Sequence, residues 1–359
     1  MKKLQVCLNQ QVRILAAACK IIIISCLFAP VAKALPHNGP QARTNKKILF
    51  VASNLMNGGV KSVSESFKQA SAQLNWQVEI ADCGGRKNCV RATLKKALDK
   101  APDGIVLGGF DGADVRDTLK KARNKSVKIV GWHAAAKSGP TPDMFTNITT
   151  DPYTVAQTAA AQIPNYGNKP GGVIILTDRD YSLATTKTLA LKKAIEAMKN
   201  FKLIAVVDVA ISSAEKDIPQ LIKAWNQRYG KSWTHTLAIN DLYFDYMAPS
   251  LKAVHREDVV GISAGDGSLA AIERVSIEKS SQVVAVAEPL QTQGWQLADE
   301  LNRSFAGEPP SNYITKPLVI SKKYMDGLKS DDIEEHIAFR STYLCIWFPE
   351  REKDKCLMP

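Results

Sequence analysis

Polar and aromatic side chains follow the apolar stretches of this sequence, at the points where each stretch ends. Carboxylates and amides hydrogen-bond to hydroxyl groups, and aromatic rings pack against the apolar faces of small molecules. These residue types favour non-covalent binding of a small polar ligand. A carboxylate such as Glu288 is costly to bury unless it is paired or hydrogen-bonded. The residues concerned are Asn54, Asp82, Asp111, Trp132, His133, Asp178, Asn240, Asp241 and Glu288.

The stretches that carry these residues are short and rich in β-branched residues, and helix-forming sequence follows them. Stretches of this kind are typical of strands buried on both faces, and therefore of parallel strands. In an open α/β sheet, ligands bind at the carboxyl ends of the strands. The predicted strands are Ile48–Asn54, Val78–Asp82, Ile105–Asp111, Ile129–His133, Val173–Asp178, Leu237–Asp241, Val259–Ser263 and Val283–Glu288.

The order of these elements predicts two lobes, each a doubly wound α/β sheet. The sequence around Asn147–Pro152 is expected to cross between the lobes, and Gln291–Phe305 and Tyr313–Ile320 add one more helix and strand. The aromatic side chains near the C-terminus are expected to pack back onto a lobe, with a partner contact as the alternative. The predicted divisions are a signal peptide at 1–34, an N-terminal lobe of 46–150 plus 289–317, a C-terminal lobe of 151–288 plus 318–328, and an extension of 329–359.

Each candidate residue also has an ordinary structural explanation. Asp and Asn side chains at strand ends often cap the following helix. Trp132 could belong to the core, and His133 could be a hydrogen-bonded structural histidine. Neither residue has neighbours in the sequence that form a metal-binding pattern, so we expect no metal and no cofactor.

One motif suggests an enzyme. Gly261–Gly265 matches the pattern Gly-x-Ser-x-Gly, with Ser263 between a predicted strand and a helix, which is the context of a serine hydrolase nucleophile. Such a serine needs a histidine base supported by a carboxylate. Only His336 lies downstream, with Asp299 or Asp326 as the carboxylate. Because His336 lies in the extension and no His-Gly-Gly motif precedes Ser263, we rank hydrolysis well behind binding and expect no enzyme.

Residues 1–34 have the layout of a secretory signal peptide. A basic region precedes the apolar stretch Ile21–Val31, and the small residues Ala32 and Ala34 follow it. The apolar stretch is too short to cross a bilayer. We therefore expect a periplasmic protein, with lipid attachment at Cys26 as the less favoured alternative.

The formal net charge of +12 overstates the basic character of the mature chain, because five of the lysines and arginines lie in residues 1–34. The sequence has no arginine-rich tract, no basic stripe with interleaved aromatics and no zinc-finger spacing. Nucleic acid is therefore not an expected partner.

Four of the seven cysteines remain after cleavage at Ala34. An exported chain enters an oxidising compartment, and the spacings favour two local disulfides, Cys83–Cys89 and Cys345–Cys356. Free thiols are the alternative. Neither pair has the Cys-x-x-Cys spacing of a metal site.

Several short motifs occur in the order found in type I periplasmic binding proteins. They are Ser53–Asn57, Ile148–Asp151, Leu237–Asp241, Val259–Ser263, and Val286–Pro289 followed by Gln293–Trp295. Over residues 46–325 the chain most resembles the ribose-binding branch, the sugar-specific receptors of ABC importers. The resemblance implies two doubly wound lobes joined by three hinge strands, with a ligand held between them.

The resemblance also implies ligand contacts, at Asn57, Asp111, His133, Asp151, Asn240, Asp241 and Glu288. A further aspartate of the family falls on Ser263, with Asp266 close enough to substitute. The family's paired phenylalanines fall on Gly59 and Val60, and its arginine in the second lobe falls on Thr185. Aromatic rings for stacking must therefore come from elsewhere, and residues at the strand ends could supply them. These are Phe110, Trp132, Tyr181 and Tyr243.

The sequence thus predicts an exported, monomeric receptor that captures a small neutral polar ligand, a sugar or polyol, and delivers it to an ABC permease in the inner membrane. An acid-rich site favours a neutral ligand over an anionic sugar acid. A periplasmic sensor for a chemoreceptor or sensor kinase is the alternative, because both kinds of partner read the closed shape. Repressors of this fold begin with a helix-turn-helix, and the export signal excludes that function here.

Overall fold

The computed structural model describes residues 35–166, 170–277, 280–329, 332–352 and residue 356. The predicted signal peptide and the alternative lipid-attachment residue Cys26 lie outside these ranges. None of the helices in the described ranges combines the length and the apolar character needed to cross a membrane.

The first sheet has five parallel strands in the order β2-β1-β3-β4-β5 within the described residues. Its inner strands are buried on both faces, as the apolar stretches predicted. Helices α1, α2 and α3 pack against it. The bounds are β1 Lys47–Ala52, α1 Gly58–Gln73, β2 Gln77–Asp82, α2 Lys87–Lys100, β3 Gly104–Gly108, α3 Arg116–Asn124, β4 Lys128–Trp132 and β5 Thr146–Ile148.

The second sheet has six strands in the order β11-β10-β9-β8-β6-β7 within the described residues. The edge strand β11 pairs antiparallel with β10, and the other neighbours pair in parallel. The bounds are α4 Pro152–Gln162, β6 Gly171–Thr177, α5 Ser182–Glu196, β7 Phe201–Asp208, α6 Ala214–Tyr229, β8 Trp233–Ala238, α7 Leu242–Ala253, β9 Val260–Ala264, α8 Leu269–Ser276, β10 Gln282–Ala287, α9 Leu290–Ala306, β11 Leu318–Ser321 and α10 Lys322–Met325.

The chain passes between the two sheets after β5, after β10 and before β11. Helix α9 follows a strand of the second sheet but packs against α1 and β4 of the first. Gly294 permits this close packing, since a Cβ there would lie 2.6 Å from the Cβ of Ser66 on α1. The predicted architecture of two doubly wound lobes is confirmed.

Helix α1 shows how the sequence pattern builds the core of the first lobe. Its apolar residues recur at helical spacing, so that Val60, Val63 and Phe67 share one face. That face is buried, and the ring of Phe67 lies 5.7 Å from that of Phe50 on β1. The polar residue Asn57 precedes the helix and caps its first turn.

Strands β5 and β7 were not predicted from the sequence. Strand β5 has only three residues. Strand β7 lies at the edge of the second sheet and, among the described residues, pairs with β6 alone. It is only partly buried along most of its length. The signal of a strand buried on both faces is therefore absent from its sequence.

The C-terminal extension packs onto the first lobe through helix α11, Phe339–Trp347. The ring of Trp347 stacks on that of Trp295 at 5.6 Å, and its Nε1 donates to Asp299 Oδ1 at 2.9 Å. Tyr343 is also fully buried there. The expectation that the aromatic residues of the extension pack back onto a lobe is confirmed for these residues.

The cysteines agree with the prediction in one pair and not in the other. Cys345 and Cys356 form a disulfide, whereas Cys83 and Cys89 are free thiols. Each of the two free sulfurs lies 3.8 Å from the hydroxyl of Thr93, and the two form no disulfide. Burial, together with the hydrogen bond to Cys89, raises the pKa of Cys83 to about 12. Its reactive thiolate form is therefore disfavoured.

Candidate ligand-binding cleft

Two adjoining cavities lie between the lobes, at the carboxyl ends of strands from both sheets. The inner cavity, of about 60 Å³, is lined in part by Asn57, Trp132, His133, Lys187, Asn240 and Asp266. The outer cavity, of about 120 Å³, is lined in part by Arg86, Val90, Phe110, Asp111, Val115 and Ala210. Ser53, Asn54, Tyr181 and Ile211 line both cavities, so the two form one continuous cleft.

Glu288 is the buried carboxylate that connects the inner cavity to the crossing between the lobes. Its Oε2 lies 3.0 Å from His133 Nε2 and accepts from the Thr150 backbone at 3.0 Å and the Gln293 amide at 3.2 Å. Its Oε1 accepts from Lys187 Nζ at 3.3 Å. Burial alone would raise the pKa of this carboxyl, but the charges of His133 and Lys187 hold it well below its ordinary value. Glu288 is thus ionised and saturated by the protein, and it lines neither cavity. The expectation that Glu288 contacts the ligand is therefore corrected, because this carboxylate positions the groups that line the cavity.

Lys187 is a charged residue of the inner cavity that was not predicted from the sequence. It lies on α5 with its side chain almost fully buried. Its neighbours on the buried face of this helix are Leu183, Ala184, Ala190 and Leu191. A lysine on an apolar helix face is rarely buried without a partner, so the helical spacing alone could have singled it out. The resemblance pointed instead to Thr185, two residues earlier.

Asp266 and Asn240 form the acidic side of the inner cavity. Asn240 Nδ2 donates to Asp266 Oδ2 at 2.5 Å, and the Leu242 backbone donates to Asn240 Oδ1 at 2.8 Å. Burial raises the pKa of Asp266 to about 6, although Lys187 and His133 oppose the rise. This carboxyl therefore changes its charge slightly below neutral pH.

Asp241 supports the loop that carries Asp266 and does not line either cavity. Its Oδ2 accepts from the backbone N–H groups of Asp266, Gly267 and Ser268 at 3.1, 2.7 and 3.0 Å. Its Oδ1 accepts from Ser263 and from Gln282. The expectation that Asp241 contacts the ligand is therefore corrected, because its oxygens are occupied by the protein.

Asp151 and Tyr243 are also placed away from the two cavities. Asp151 is exposed and caps α4, accepting from the backbone of Thr154 at 3.0 Å. Tyr243 is fully buried, and its hydroxyl donates to the Val209 carbonyl at 2.7 Å. The expected ligand contacts at these two residues are corrected to a helix cap and a core hydrogen bond.

Asn57, Trp132 and His133 line the inner cavity from the first lobe. Asn57 Oδ1 accepts from the Gly59 backbone at 2.9 Å, so the residue is a helix cap as well. Trp132 Nε1 donates to Gln293 Oε1 at 2.7 Å. The ring of His133 stacks on the indole at 3.8 Å and covers one of its faces. That face of the tryptophan is closed to a sugar ring.

Phe110, Asp111 and Tyr181 line the outer cavity, and Tyr181 lines the inner cavity too. Asp111 accepts from the backbone and hydroxyl of Ser182 at 3.1 and 2.9 Å, which links the two lobes. Burial, reinforced by nearby acidic residues, raises the pKa of Tyr181 to about 12, so its phenol stays protonated and can donate.

The lobes touch directly at the start of α1. A Cβ at Gly59 would lie 2.5 Å from Asp266 Oδ2, and one at Gly58 would lie 2.5 Å from Ser268 Cβ. Gly59 is one of the two residues on which the family's paired phenylalanines fall. Here the second lobe occupies the space that a side chain at Gly59 would need.

The hydrolase motif does not form a catalytic arrangement in the described residues. Ser263 is completely buried, donates to the carboxylate of Asp241 and accepts from Gln282 Nε2 at 3.1 Å. His336 is exposed and lies in the extension. The partner of the serine is thus a structural carboxylate, not a histidine.

His133, Asp266 and Glu288 each offer a ligand atom within 4.8 Å of the others, a grouping that could hold a metal ion. The ammonium of Lys187 already lies 3.3 Å from Glu288 and supplies a positive charge at this position. The grouping of His133, Asp266 and Glu288 is therefore explained by the ion pair between Lys187 and Glu288.

Two lobes with a continuous polar cleft between them define a class of protein that holds a small ligand by closing around it. Comparison with protein families then places the chain within that class. A family described as "Periplasmic binding protein domain" matches residues 48–309. The chain belongs to this family. A comparison with curated proteins finds no matching sequence.

Solved structures of the same fold are similar to the chain at low sequence identity. A 5-methylthioribose transporter solute-binding protein from Thermotoga lettingae has a TM-score of 0.73 at 14% identity and covers 90% of this chain and 99% of its own. A sugar ABC transporter protein from Yersinia enterocolitica has a TM-score of 0.72 at 15% identity, over 86% and 94% of the two chains. A solute-binding protein from Agrobacterium vitis, with bound allitol, has a TM-score of 0.67 at 15% identity and covers 79% of this chain and 97% of its own.

Proposed function

We propose that this protein is an exported receptor that captures a small neutral polar ligand, a sugar or polyol, between its lobes and delivers it to an ABC importer. The observation that carries the proposal is the convergence of polar groups from both lobes on the inner cavity. His133 and Asn57 come from the first lobe, and Lys187, Asn240 and Asp266 come from the second.

The inner cavity suits hydroxyl groups, which both donate and accept hydrogen bonds. Lys187 Nζ has three N–H donors and uses one of them on Glu288 within the described residues. Asp266 accepts from Asn240 and has lone pairs left for a ligand hydroxyl. A lysine and an aspartate side by side can therefore bind two neighbouring hydroxyls of one ligand, with charge-assisted hydrogen bonds.

The charges of the cavity favour a neutral ligand. Glu288 is balanced by Lys187 and by three further partners. A negatively charged ligand would have to share Lys187, which is already paired with Glu288, and would lie beside the carboxylate of Asp266. An unpaired buried charge is costly. The sugar and polyol ligands named for similar structures, allitol and 5-methylthioribose, agree with this chemistry.

Closure of the lobes links binding to delivery. Asp111 of the first lobe accepts from Ser182 of the second at 2.9 Å, so the two lobes are in contact in this structure. A ligand that touches both lobes stabilises this closed form, and a permease or sensor that recognises the closed form then responds to the ligand.

A thermal-shift screen of residues 35–359 tests the proposal. The panel contains pentoses, hexoses, acyclic and cyclic polyols, and sugar acids as charged counterparts. A ligand present at a hundred times its dissociation constant adds about 2.7 kcal/mol of stability, which raises the unfolding midpoint by several degrees. We expect a shift with a neutral sugar or polyol. A shift with sugar acids alone, or with none of the panel, would contradict the proposal.

A further inference from the structure

The outer cavity is continuous with the inner one, because Asn54 of the first lobe and Tyr181 of the second line both. The outer cavity has a volume of about 120 Å³, against about 60 Å³ for the inner one. A ligand whose hydroxyls reach Lys187 and Asp266 can therefore continue into the outer cavity.

The lobes contact each other along the outer cavity. Asp111 accepts from Ser182 Oγ at 2.9 Å, and Lys87 Nζ lies 3.5 Å from Asp180 Oδ1 of the other lobe. Asp111, Lys87 and Asp180 also line the cavity. A group bound there would touch both lobes, and it would favour the closed form in the same way as a group in the inner cavity.

Charged side chains of both signs line the outer cavity. Arg86, Lys87 and Arg91 supply positive charges, and four aspartates among the described residues supply negative ones. An anionic group of a ligand would lie beside the aspartates, and a cationic group would lie beside the two arginines and the lysine. The mixed lining therefore favours a polar group without net charge.

Donors that the protein leaves unused are present in the outer cavity. The guanidinium of Arg86 and the phenol of Tyr181 form no hydrogen bond with any described residue. Asn54 Oδ1 accepts from the Met56 backbone at 3.0 Å, and the amide N–H groups of Asn54 have no partner in the described part of the chain. These three side chains come from both lobes and can donate to oxygens of a ligand.

Acceptor capacity is present beside these donors. Asp178 is buried and lines the outer cavity. One of its oxygens accepts from the backbone of Asp180 at 3.0 Å, and the other from the backbone of Ile211 at 2.8 Å. Each carboxylate oxygen has a second lone pair for a hydroxyl. A hydroxyl both donates and accepts, so it matches this combination of groups.

We propose that the outer cavity is a second polar subsite, which binds a second hydroxylated unit linked to the one at Lys187 and Asp266. The ligand is then built of two linked hydroxylated units, as in a disaccharide. Arg86 and Tyr181 donate to oxygens of the second unit, and Asp178 accepts from its hydroxyls. This inference rests on the proposed function, because it assumes that a sugar or polyol occupies the inner cavity.

Calorimetric titration with matched sugars tests the second subsite. The disaccharides are maltose, cellobiose, trehalose, lactose and melibiose, each compared with its component monosaccharides, D-glucose and D-galactose. Maltitol is compared with D-glucose and D-glucitol. We expect at least one two-unit ligand to bind about tenfold tighter than either of its components. One charge-assisted hydrogen bond in the outer cavity is enough for a difference of this size.

Removal of an unused donor supplies the second arm. Arg86→Ala should lower the ratio of two-unit to one-unit affinity by about tenfold, because Arg86 lines only the outer cavity. Arg43→Ala, at an exposed arginine of the first lobe outside both cavities, is the matched control and should leave the ratio unchanged. Both arginines are exposed, and neither side chain has a hydrogen bond or ion pair with a described residue. Neither substitution therefore removes a contact of the fold.

The outcomes separate the two proposals. If no two-unit ligand binds more tightly than its components, or if Arg86→Ala weakens both kinds of ligand equally, the second subsite is overturned and the receptor stands. If none of these sugars and polyols binds, the proposed function itself is overturned.

Discussion

At the scale of single residues, Lys187 decides the chemistry of the cleft. Its ammonium is paired with Glu288, and its charge also opposes the raised pKa of Asp266. Lys187 therefore has two tasks: it compensates a buried carboxylate and presents donors to a ligand. The two tasks can be separated by experiment.

Replacing Lys187 by Met should destabilise the protein, because it leaves Glu288 buried without its cation. Breaking such a pair costs about 3 kcal/mol. We expect urea unfolding to show a loss of this order for Lys187→Met, and a smaller loss for the double variant Lys187→Met/Glu288→Gln, in which the uncompensated charge is gone. Lys193→Met, at an exposed residue of the same helix, should change stability by less than about 0.5 kcal/mol. If the separate effects of Lys187→Met and Glu288→Gln on stability simply add up in the double variant, Lys187 and Glu288 are not coupled.

Asp266 should make ligand binding depend on pH. Its folded-state pKa of about 6 lies above the ordinary value, so its protonated form favours folding, and that contribution to stability is lost as the pH rises through about 6. Binding should change in the opposite direction. The ionised carboxylate is the stronger acceptor for a hydroxyl, so affinity should increase as the pH rises through the same range.

Titration calorimetry at about pH 5 and about pH 8 measures this dependence. Asp266→Asn keeps an acceptor for Asn240 but cannot ionise, and its affinity should be flat over the same range. A wild-type affinity that does not change with pH would show that the Asp266 carboxylate is not in contact with the ligand.

The sequence identified the residues at the strand ends but not their partners. Asn57, His133, Asn240 and Asp266 line the inner cavity as the positions of the motifs implied. Asp241 and Asp151 have the same residue type at the same kind of position, yet they support a loop and cap a helix. Local sequence cannot distinguish these roles, because the difference lies in which backbone N–H groups the fold brings to each carboxylate.

At the scale of elements, the start of α1 controls how closely the lobes approach. Asn57 caps the helix, and the glycines that follow leave space for the loop that carries Asp266 and Ser268. The element is thus both part of the first lobe's core and a contact surface for the second lobe.

Gly59→Ala should weaken ligand binding without destabilising the first lobe. Alanine is favoured over glycine within a helix by about 1 kcal/mol, but its Cβ would meet Asp266 in the closed form. We expect the affinity for the ligand to fall by about tenfold or more while the unfolding midpoint is unchanged or higher. Gln69→Ala, at an exposed residue of the same helix, is the control. Unchanged affinity in Gly59→Ala would show that the lobes do not close at this point.

Buried elements were predictable, and an edge element was not. The stretches that became β1, β3 and β6 are continuous apolar runs buried on both faces. Strand β7 was missed because its edge position leaves it only partly buried. The continuous apolar run of a strand appears in the sequence only where both faces of the strand are buried.

At the scale of the whole molecule, the extension completes the first lobe. Glu334 accepts from the backbone N–H groups of Gln291 and Thr292, both at 2.8 Å, and so caps α9. Trp347 covers the same helix through its contacts with Trp295 and Asp299. The extension is therefore part of the folded unit, and the sequence predicted its aromatic contacts but neither its helix nor its cap.

Trp347→Ala should lower the free energy of unfolding by about 3–5 kcal/mol, the usual cost of removing a large buried aromatic side chain. Chemical denaturation of the mature protein measures the change. Phe348→Ala, at the neighbouring and less buried residue, is the matched control and should cost less. A loss below about 1 kcal/mol for Trp347→Ala would show that the extension does not stabilise the lobe.

The central claim is that a sugar or polyol is held by closure of the two lobes. Small-angle X-ray scattering of residues 35–359, with and without the ligand found by thermal shift, measures that closure most directly. The radius of gyration should decrease when the ligand binds to the wild-type protein, and it should decrease less in Gly59→Ala. A ligand that binds at full occupancy and leaves the radius of gyration of the wild-type protein unchanged would contradict the claim.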